Sequence, residues 1–195
     1  MKIIDISQEV FSCRVYPGDP VPQSENIKQM EQGELYNLSC LSMCVHNGTH
    51  VDAPSHFLRY GKTIDQLPPE VFVGECFVAR HQGEFTAEDA GIVLQKAAEA
   101  GAAERILIAG DATVTADAAK VFASSKVRLV GNESQSVGPP DAPMEVHLIL
   151  LEAEVVLLEG IVLKNIAEGK YFLSALPLKL AGLEGSPCRA YLLVI

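Results

Sequence analysis

The sequence predicts an α/β fold with a mixed, partly parallel sheet, in a single domain that spans residues 1–195. The second half of the chain alternates short apolar runs with helix-like segments, a pattern that indicates crossover units between parallel strands. The first half is rich in strand-like and turn-like segments. With 195 residues, of which 48% are hydrophobic, the chain is long enough and apolar enough to bury one substantial core.

The first half is predicted to consist of strands and turns. MKIIDIS, at the start of the chain, alternates apolar and polar residues as a strand does. Residues 12–22 contain three prolines and a glycine, so they are predicted to form a rigid loop. Residues 35–46 are compatible with a second strand.

The second half is predicted to alternate helices and strands. TAEDAGIVLQKAAEAG has a helix signature, with Thr86 as N-cap, acidic residues in the first turn and Gly101 as the stop. RILIAG is predicted to be a buried strand, TADAAKVFASS a second helix and VRLVG the next strand. A third helix opens at Pro143 and continues to about Ala153. VVLLEG, YFLSALPL and CRAYLLVI are predicted to complete the chain as strands.

Charge and composition exclude several classes of partner. The formal net charge of −10 argues against nucleic acid, whose phosphates require a positive surface, and against an anionic membrane surface. The most apolar window, residues 144–163, holds several ionisable side chains, each of which costs about 2.5–3.5 kcal/mol in a bilayer. A soluble protein with a small-molecule substrate or a protein partner remains.

The cysteines and the first residues predict a cytoplasmic protein. In MKIIDISQEV, Asp5 and Glu9 interrupt the apolar run that a secretory signal needs. The five cysteines form no CxxC pair and are odd in number, which favours reduced thiols.

The most informative stretch is CVHNGTHVDAPSHF, which holds three of the five histidines together with Asp52. Its glycine and proline make a helix improbable. In an extended chain, His46 and His50 would lie roughly 13 Å apart. Two nitrogens bound to one ion at about 2.0–2.1 Å cannot be so distant. A shared metal ion therefore requires a turn, and Asn47-Gly48 is a suitable turn dipeptide.

Three interpretations of this stretch are open. Two imidazoles and the carboxylate of Asp52 could hold a divalent ion, such as Zn²⁺ or Mn²⁺, with His56 set apart as an acid/base group. Alternatively, each histidine is a polar residue with an ordinary hydrogen-bond partner. The third interpretation is a structural zinc site of Cys40, Cys44 and His46, for which no fourth ligand lies nearby in the sequence.

Two further candidate ligands lie in the second half. Glu159 interrupts an otherwise apolar strand, where an unpaired carboxylate would be costly to bury. It could pair with an arginine, sit at a strand end, or bind metal together with His147. The two residues are about 18 Å apart on a continuous helix, so a helix followed by a returning strand is needed to bring them together.

At these residues the chain resembles the metal-dependent cyclase and kynurenine formamidase (arylformamidase) family. VYPGDP resembles the family's Pro-Gly-Asp loop, and ALPLKLAGLEGSPCRAYLLV resembles its Pro-Leu-Lys-Leu…Gly-Ser-Pro-x-Arg-Ala block. His147 and Glu159 fall where the family has its later ligands, so the similarity spans essentially the whole chain. The family signature His-x-Gly-Thr-His-x-Asp-x-Pro-x-His is matched by His46, Gly48, Thr49, His50, Asp52, Pro54 and His56.

The resemblance implies a swivelling β/β/α fold that assembles as a homodimer or homotetramer. It also implies hydrolysis of an aryl formamide such as N-formylkynurenine, an intermediate of tryptophan catabolism, by a metal-activated water. Asp52 and Glu159 would be able to bridge two ions, and His56 would be the proton shuttle. The implied centre binds one or two divalent ions, zinc or alternatively manganese, through His46, His50, Asp52, His147 and Glu159.

Two positions depart from the family pattern. Tyr16, predicted to contact the substrate, stands where the formamidases commonly have a tryptophan. The segment Gly-x-Asp-x-x-Ser reads GNESQS, with Glu133 for the aspartate and Ser136 retained. A longer acid can displace a ligand or proton donor by about 1 Å, enough to alter catalysis. Three alternatives therefore stay open: hydrolysis of a cyclic amide, imide or isatin-like ring, metabolite binding without turnover, and a structural domain without a metal.

Overall fold

The computed structural model describes residues 1–194. Over these residues the chain forms three helices, α1 (Ala87–Glu99), α2 (Ala116–Ala123) and α3 (Met144–Glu152). The strands are β1 (Lys2–Asp5), β2 (Gln23–Lys28), β3 (Leu38–Ser42), β4 (His50–Asp52), β5 (Val73–Arg80), β6 (Gly83–Phe85), β7 (Arg105–Ala109), β8 (Ala112–Val114), β9 (Leu129–Asn132), β10 (Val156–Glu159), β11 (Gly169–Ser174), β12 (Gly185–Pro187) and β13 (Tyr191–Val194).

Nine strands form one mixed sheet, in the order β1-β13-β11-β5-β7-β9-β10-β4-β12. The central strands β5, β7, β9 and β10 are parallel neighbours, and the strands on either side of them pair antiparallel. The helices lie in the connections between the parallel strands, as crossover connections require. The predicted α/β fold with a mixed, partly parallel sheet is confirmed.

The three predicted helices are present. Thr86 caps α1, because its hydroxyl accepts from the backbone N–H of Asp89 and the Asp89 carboxylate accepts from the N–H of Thr86. Gly101 follows the helix with a φ of +68°, a conformation that glycine adopts without strain. α3 begins directly after Pro143, as the sequence predicts.

Several strand predictions need correction. The strand predicted for residues 35–46 is confined to β3, because the chain turns at residues 44–47, where the N–H of Asn47 donates to the carbonyl of Cys44. YFLSALPL contributes only its first four residues to β11, which begins at Gly169. The final residue of the predicted last strand, Ile195, lies outside the described residues.

The central strand β5 is missing from the sequence prediction. Gly74 and Glu75 interrupt its apolar run, so that it has neither strict alternation nor a continuous apolar stretch. The short strands β4 and β12 were also not predicted. Their pairing is set by long-range neighbours rather than by local pattern.

Alternating side chains fill a separate core on each face of the main sheet. In β10, Leu157 faces the core beneath the helices, whereas Leu158 faces the core on the other side. Val51 in β4 belongs to this second core as well. Its neighbours His50 and Asp52 must therefore point to the helix-covered face.

The strands β2 and β3 form a separate antiparallel ribbon, which we call the arm (residues 23–42). Its residues are exposed along nearly their whole length. The exposed side chains include large apolar ones at Ile27, Met30, Leu35, Leu38 and Leu41. Within residues 1–194, no helix is both long enough and apolar enough to span a bilayer.

Candidate metal centre

Strand pairing brings residues from two distant parts of the sequence together. β4 lies antiparallel to β10, with His50 opposite Glu159 and Asp52 opposite Leu157. Residues that pair directly in an antiparallel sheet project from the same face. The side chains of His50, Asp52 and Glu159 consequently converge on the helix-covered face, where all three are buried.

α3 supplies a second imidazole to this cluster. His147 is buried, and its Nδ1 donates to the carbonyl of Pro143 at 2.8 Å, which leaves Nε2 as the inward ring nitrogen. That nitrogen lies 3.4 Å from Oε1 of Glu159 and 3.8 Å from Oδ2 of Asp52. The helix followed by a returning strand thus places His147 beside Glu159, as their spacing requires.

His50 is oriented in the same way. Its Nδ1 lies 3.0 Å from the carbonyl of Gly48 and donates to it, so Nε2 points into the cluster. Nε2 is 3.5 Å from Oδ1 of Asp52 and 3.4 Å from Oε2 of Glu159. Glu159 therefore stands between the two buried imidazoles, one carboxylate oxygen toward each.

His46 reaches the cluster from the turn at residues 44–47. Its Nδ1 lies 2.9 Å from Oδ1 of Asp52, and its ring meets that of His50 edge to face. The chain reverses immediately before Gly48, which has a φ of +65°. The predicted turn near Asn47-Gly48 is present, and it brings His46 and His50 to the same carboxylate.

The donors form two groups that share Asp52. One consists of His46, His50 and Asp52, and the other of Asp52, His147 and Glu159, with the donor atoms of each group within 4.8 Å of one another. Oδ2 of Asp52 is buried and has no hydrogen-bond partner among the described residues. A buried carboxylate oxygen without a donor fits a bound cation, and imidazole with carboxylate is a donor set that Zn²⁺ and Mn²⁺ accept.

The alternative cysteine site finds no support in the described residues. Neither group that could hold a metal ion contains a cysteine. Cys40 is exposed on the arm, and Cys44 has its Sγ 3.8 Å from Oδ2 of Asp19 at the wall of the adjoining pocket. All five predicted ligands converge on one cluster, and their ligand roles stay predictions.

The loops that carry His50 and Glu159 are joined by hydrogen bonds. The hydroxyl of Thr49 donates to the carbonyl of Gly160 at 2.7 Å, and Nε2 of Gln8 donates to the same carbonyl. Gln135 donates to the carbonyl of Gly48, which also accepts from His50. These bonds hold the residue before His50 to the residue after Glu159.

Burial and charge act in opposite directions on the clustered groups. Burial alone would lower the pKa of His50, but the carboxylates of Glu159 and Asp52 outweigh it and raise this pKa to about 9. Burial alone would also lower the pKa of His147, but the carboxylate of Glu159 outweighs it and raises this pKa. The hydrogen bond from His46 and the charge of His50 overcome burial and hold the pKa of Asp52 well below its usual range. The carboxylates thus attract positive charge, which a divalent cation also supplies.

His56 lies beside the cluster rather than in it. Its ring centroid is 4.1 Å from that of His46 and 6.1 Å from that of His147. Burial lowers the pKa of His56 despite the nearby charge of Asp52. A half-buried neutral imidazole at this place can accept a proton from a group in the pocket.

The cluster forms the floor of a pocket of about 280 Å³. Tyr16, the residue predicted to contact the substrate, lies in the pocket wall, and its hydroxyl reaches the carbonyl of Pro140 at 3.5 Å. Ser136 also lines the pocket, and its buried hydroxyl has no partner among the described residues. The sequence did not assign to this pocket the other wall residues, Asp19, Cys44, Phe57, Gln135 and Pro143.

Glu133, whose effect the motif left open, is held by two backbone groups. Its two carboxylate oxygens accept from the backbone N–H groups of Gly110 and Leu163, at 2.7 and 2.8 Å. It does not line the pocket with the cluster. The longer acid therefore joins its own loop to the backbone at Gly110 and Leu163, away from the pocket that the cluster lines.

The fold and the buried imidazole–carboxylate cluster define an α/β protein with a candidate divalent-metal centre at the floor of a pocket. A family model described as a putative cyclase matches residues 4–139, more than half of the chain. The chain belongs to this cyclase family.

Named relatives agree with the family assignment. A kynurenine formamidase from Salinibacter ruber (strain DSM 13855 / M31) is 35% identical over 206 residues, covering 98% of this chain and 97% of the relative. A solved structure described as a potential metal-dependent hydrolase with cyclase activity is 28% identical, with a TM-score of 0.81 over 98% of this chain and 96% of that one. Isatin hydrolase A from Labrenzia aggregata has a TM-score of 0.82 at 23% identity, covering 99% and 93%, and shows the same fold.

Proposed function

We propose that the protein is a metal-dependent amide hydrolase that removes the formyl group from N-formylkynurenine or a related aryl formamide. The observation that carries this proposal is the pair of donor groups sharing Asp52 at the floor of the pocket, with His56 alongside. The kynurenine formamidase relative, which aligns over nearly the full length of both chains, supports the choice of a formamide.

The proposed ligands are His46, His50, Asp52, His147 and Glu159, holding one or two ions of zinc, or alternatively manganese. Bound there, a divalent ion would polarise the scissile carbonyl and lower the pKa of a coordinated water to near 7. Asp52 belongs to both donor groups, and Glu159 faces both buried histidines, so these two carboxylates would hold metal together with histidines from each part of the chain.

The remaining roles fall to the pocket wall. His56 would take a proton from the attacking water on a ring nitrogen and return it to the nitrogen of the departing aryl amine. Tyr16 and Phe57 would contact the aromatic ring of the substrate. The pocket volume of about 280 Å³ suits a small molecule.

We also propose assembly as a homodimer or homotetramer, in the cytoplasm. The support for assembly is the arm, since a two-stranded ribbon exposed on both faces is only marginally stable by itself in water. A second copy would cover its apolar side chains. Sedimentation equilibrium tests this proposal, and a monomer at micromolar concentration would overturn it.

The function is tested by loading purified protein with Zn²⁺ or Mn²⁺ and measuring formate release from N-formylkynurenine. We expect turnover that disappears with a chelator and returns when metal is restored. If the loaded protein leaves the formyl group intact but opens a cyclic amide or an isatin-like ring, the reaction assignment changes to cyclic amide hydrolysis. Failure to take up either metal would overturn the proposal.

A further inference from the structure

The three proposed histidine ligands differ in the direction of their rings. His50 and His147 each donate from Nδ1 to a backbone carbonyl and present Nε2 to the cluster. His46 has the opposite orientation, with Nδ1 directed at Asp52. Its other nitrogen, Nε2, is buried and forms no hydrogen bond among residues 1–194.

One carboxylate faces this nitrogen. Oε1 of Glu184 lies 3.5 Å from Nε2 of His46. Among the described residues, the Glu184 side chain takes part in no other ion pair and in no hydrogen bond. Since it is 41% exposed, it has the freedom to move the few tenths of an ångström that a hydrogen bond needs.

The backbone around Glu184 is fixed next to the ligands. Its carbonyl accepts from the N–H of Ala53 at 2.8 Å, and the following residue, Gly185, pairs with Asp52 where β12 meets β4. Glu184 is therefore tied to the strand that carries two of the proposed ligands.

Gly185 leaves the space that the ring of His46 occupies. A Cβ at this glycine would lie 2.7 Å from Cε1 and 3.3 Å from Nδ1 of His46, too close for any other residue. The ring of His56 lies on another side at a centroid distance of 4.1 Å. Held between these neighbours, the His46 ring keeps one nitrogen toward Asp52 and the other toward Glu184.

The inward distances suit a ligand at Nδ1. Donor atoms around one ion at about 2.1 Å lie about 3–3.5 Å from one another. Oδ1 of Asp52 is 2.9 Å from Nδ1 of His46 and 3.5 Å from Nε2 of His50. Nε2 of His46, by contrast, is directed at Glu184.

We infer that Glu184 is a positioning residue for the metal centre. Without metal, Nδ1–H of His46 donates to the carboxylate of Asp52. With metal bound, Glu184 would accept a hydrogen bond from Nε2–H of His46, so that the ring proton is on Nε2 and Nδ1 is free to be the ligand atom. Outer carboxylates of this kind fix the tautomer and the ring orientation of a metal-binding histidine. The inference rests on the metal centre of the proposed function, but not on the identity of the substrate.

The test combines nitrogen NMR with zinc binding. In ¹⁵N-histidine-labelled, zinc-loaded protein, long-range ¹H–¹⁵N correlations should show zinc on Nδ1 of His46 and on Nε2 of His50 and His147. Glu184→Ala should weaken zinc binding about 10–100-fold, measured by competition with a chromophoric chelator. Glu184→Gln, which keeps an acceptor oxygen, should lose less.

Glu75→Ala is the matched control, since Glu75 is 42% exposed and, within the part of the chain that the structure describes, forms an ion pair only with Lys170 on the neighbouring strand β11. It should bind zinc like the wild type, and the metal-free variants should unfold at wild-type temperatures. Zinc bound to Nε2 of His46, or an unchanged zinc affinity in Glu184→Ala, would overturn the role of Glu184 and leave the proposed function standing. Zinc binding that depends on Glu184 without formamide cleavage would overturn the proposed substrate alone.

Discussion

The imidazole of His50 and the carboxylate of Glu159 face each other across two antiparallel strands, with 3.4 Å between Nε2 and Oε2. The two residues are paired in register, so their proximity is set by the backbone of the sheet rather than by flexible side chains. Both are almost inaccessible to solvent. The candidate centre is therefore preformed, and substitutions in it have effects that can be separated from those in the loops around it.

Asp52→Asn should abolish stable metal binding. Asp52 belongs to both donor groups, and an amide supplies one neutral oxygen in place of two charged ones. Removal of an outer hydrogen-bond partner of a ligand weakens metal binding about 10–100-fold, and the loss of affinity in Asp52→Asn should be larger. Metal content after gel filtration measures it. His81→Gln is the control, because His81 lies outside both groups; a full complement of metal in Asp52→Asn would contradict the assignment.

His56→Ala should keep its metal and lose turnover. The His56 ring stacks beside that of His46 without belonging to either donor group. The expected fall in kcat is about 10²–10⁴-fold, the usual contribution of general acid–base catalysis. Steady-state kinetics and metal analysis on the same preparation check both parts. Loss of metal in this variant would instead make His56 a ligand.

Removal of the metal should lower the stability of the fold. A ligand that binds only the folded chain adds about 2.7 kcal/mol to the free energy of unfolding at a free concentration of 100 times its Kd. Thermal unfolding with zinc and with a chelator measures the shift in Tm. Asp52→Asn should show no shift, and an equal shift in that variant would indicate zinc binding elsewhere.

Glu133→Gln should destabilise the protein without weakening metal binding. Both oxygens of Glu133 accept from backbone N–H groups, and an amide turns one acceptor into a donor that faces another donor. The expected loss is about 1.5–3 kcal/mol, measured by urea unfolding. Glu88→Gln, at an exposed position of α1, should change little. A large loss of zinc affinity in Glu133→Gln would return this residue to the centre.

Gly160→Ala should damage both the fold and the centre. Gly160 has a φ of +67°, and a Cβ there would collide with the carbonyl oxygen of Gly48, which holds His50, and with the side-chain amide of Gln135. Gly182→Ala is the control, since its φ is +79° and the space around it is open. It should lose only the about 1–2 kcal/mol of stability that a side chain costs at a positive φ. Only Gly160→Ala should also lose zinc affinity, as measured by chelator competition.

The sequence predicted the parts of the fold that local pattern determines. The capped helix α1 and the buried strand β7 each carry their own signals in composition and periodicity. β5 carries no such signal, and the three residues of β4 are extended because β10 and β12 lie on either side. Long-range pairing of this kind is invisible to a local pattern.

In the candidate site, too, the sequence indicates some residues, and others are recognised only in the folded structure. His46, His50 and Asp52 stand out because they are close in sequence, and Glu159 because a carboxylate interrupts an apolar run. Gln8 and Glu184 have no such mark, since each acts through contacts that only the folded chain creates. The motif left the position of Glu133 open, because the spacing of residues does not tell which way a side chain turns.

The antiparallel pairing of β4 with β10 joins residues more than a hundred positions apart in the chain. Before these strands meet, the unfolded chain can offer only the local histidines and Asp52 to an ion, and the donors from α3 and β10 are far away. High-affinity metal uptake must therefore wait for a long-range step that is slow relative to helix formation. During refolding, the time at which zinc becomes tightly held would report when the two strands find their register.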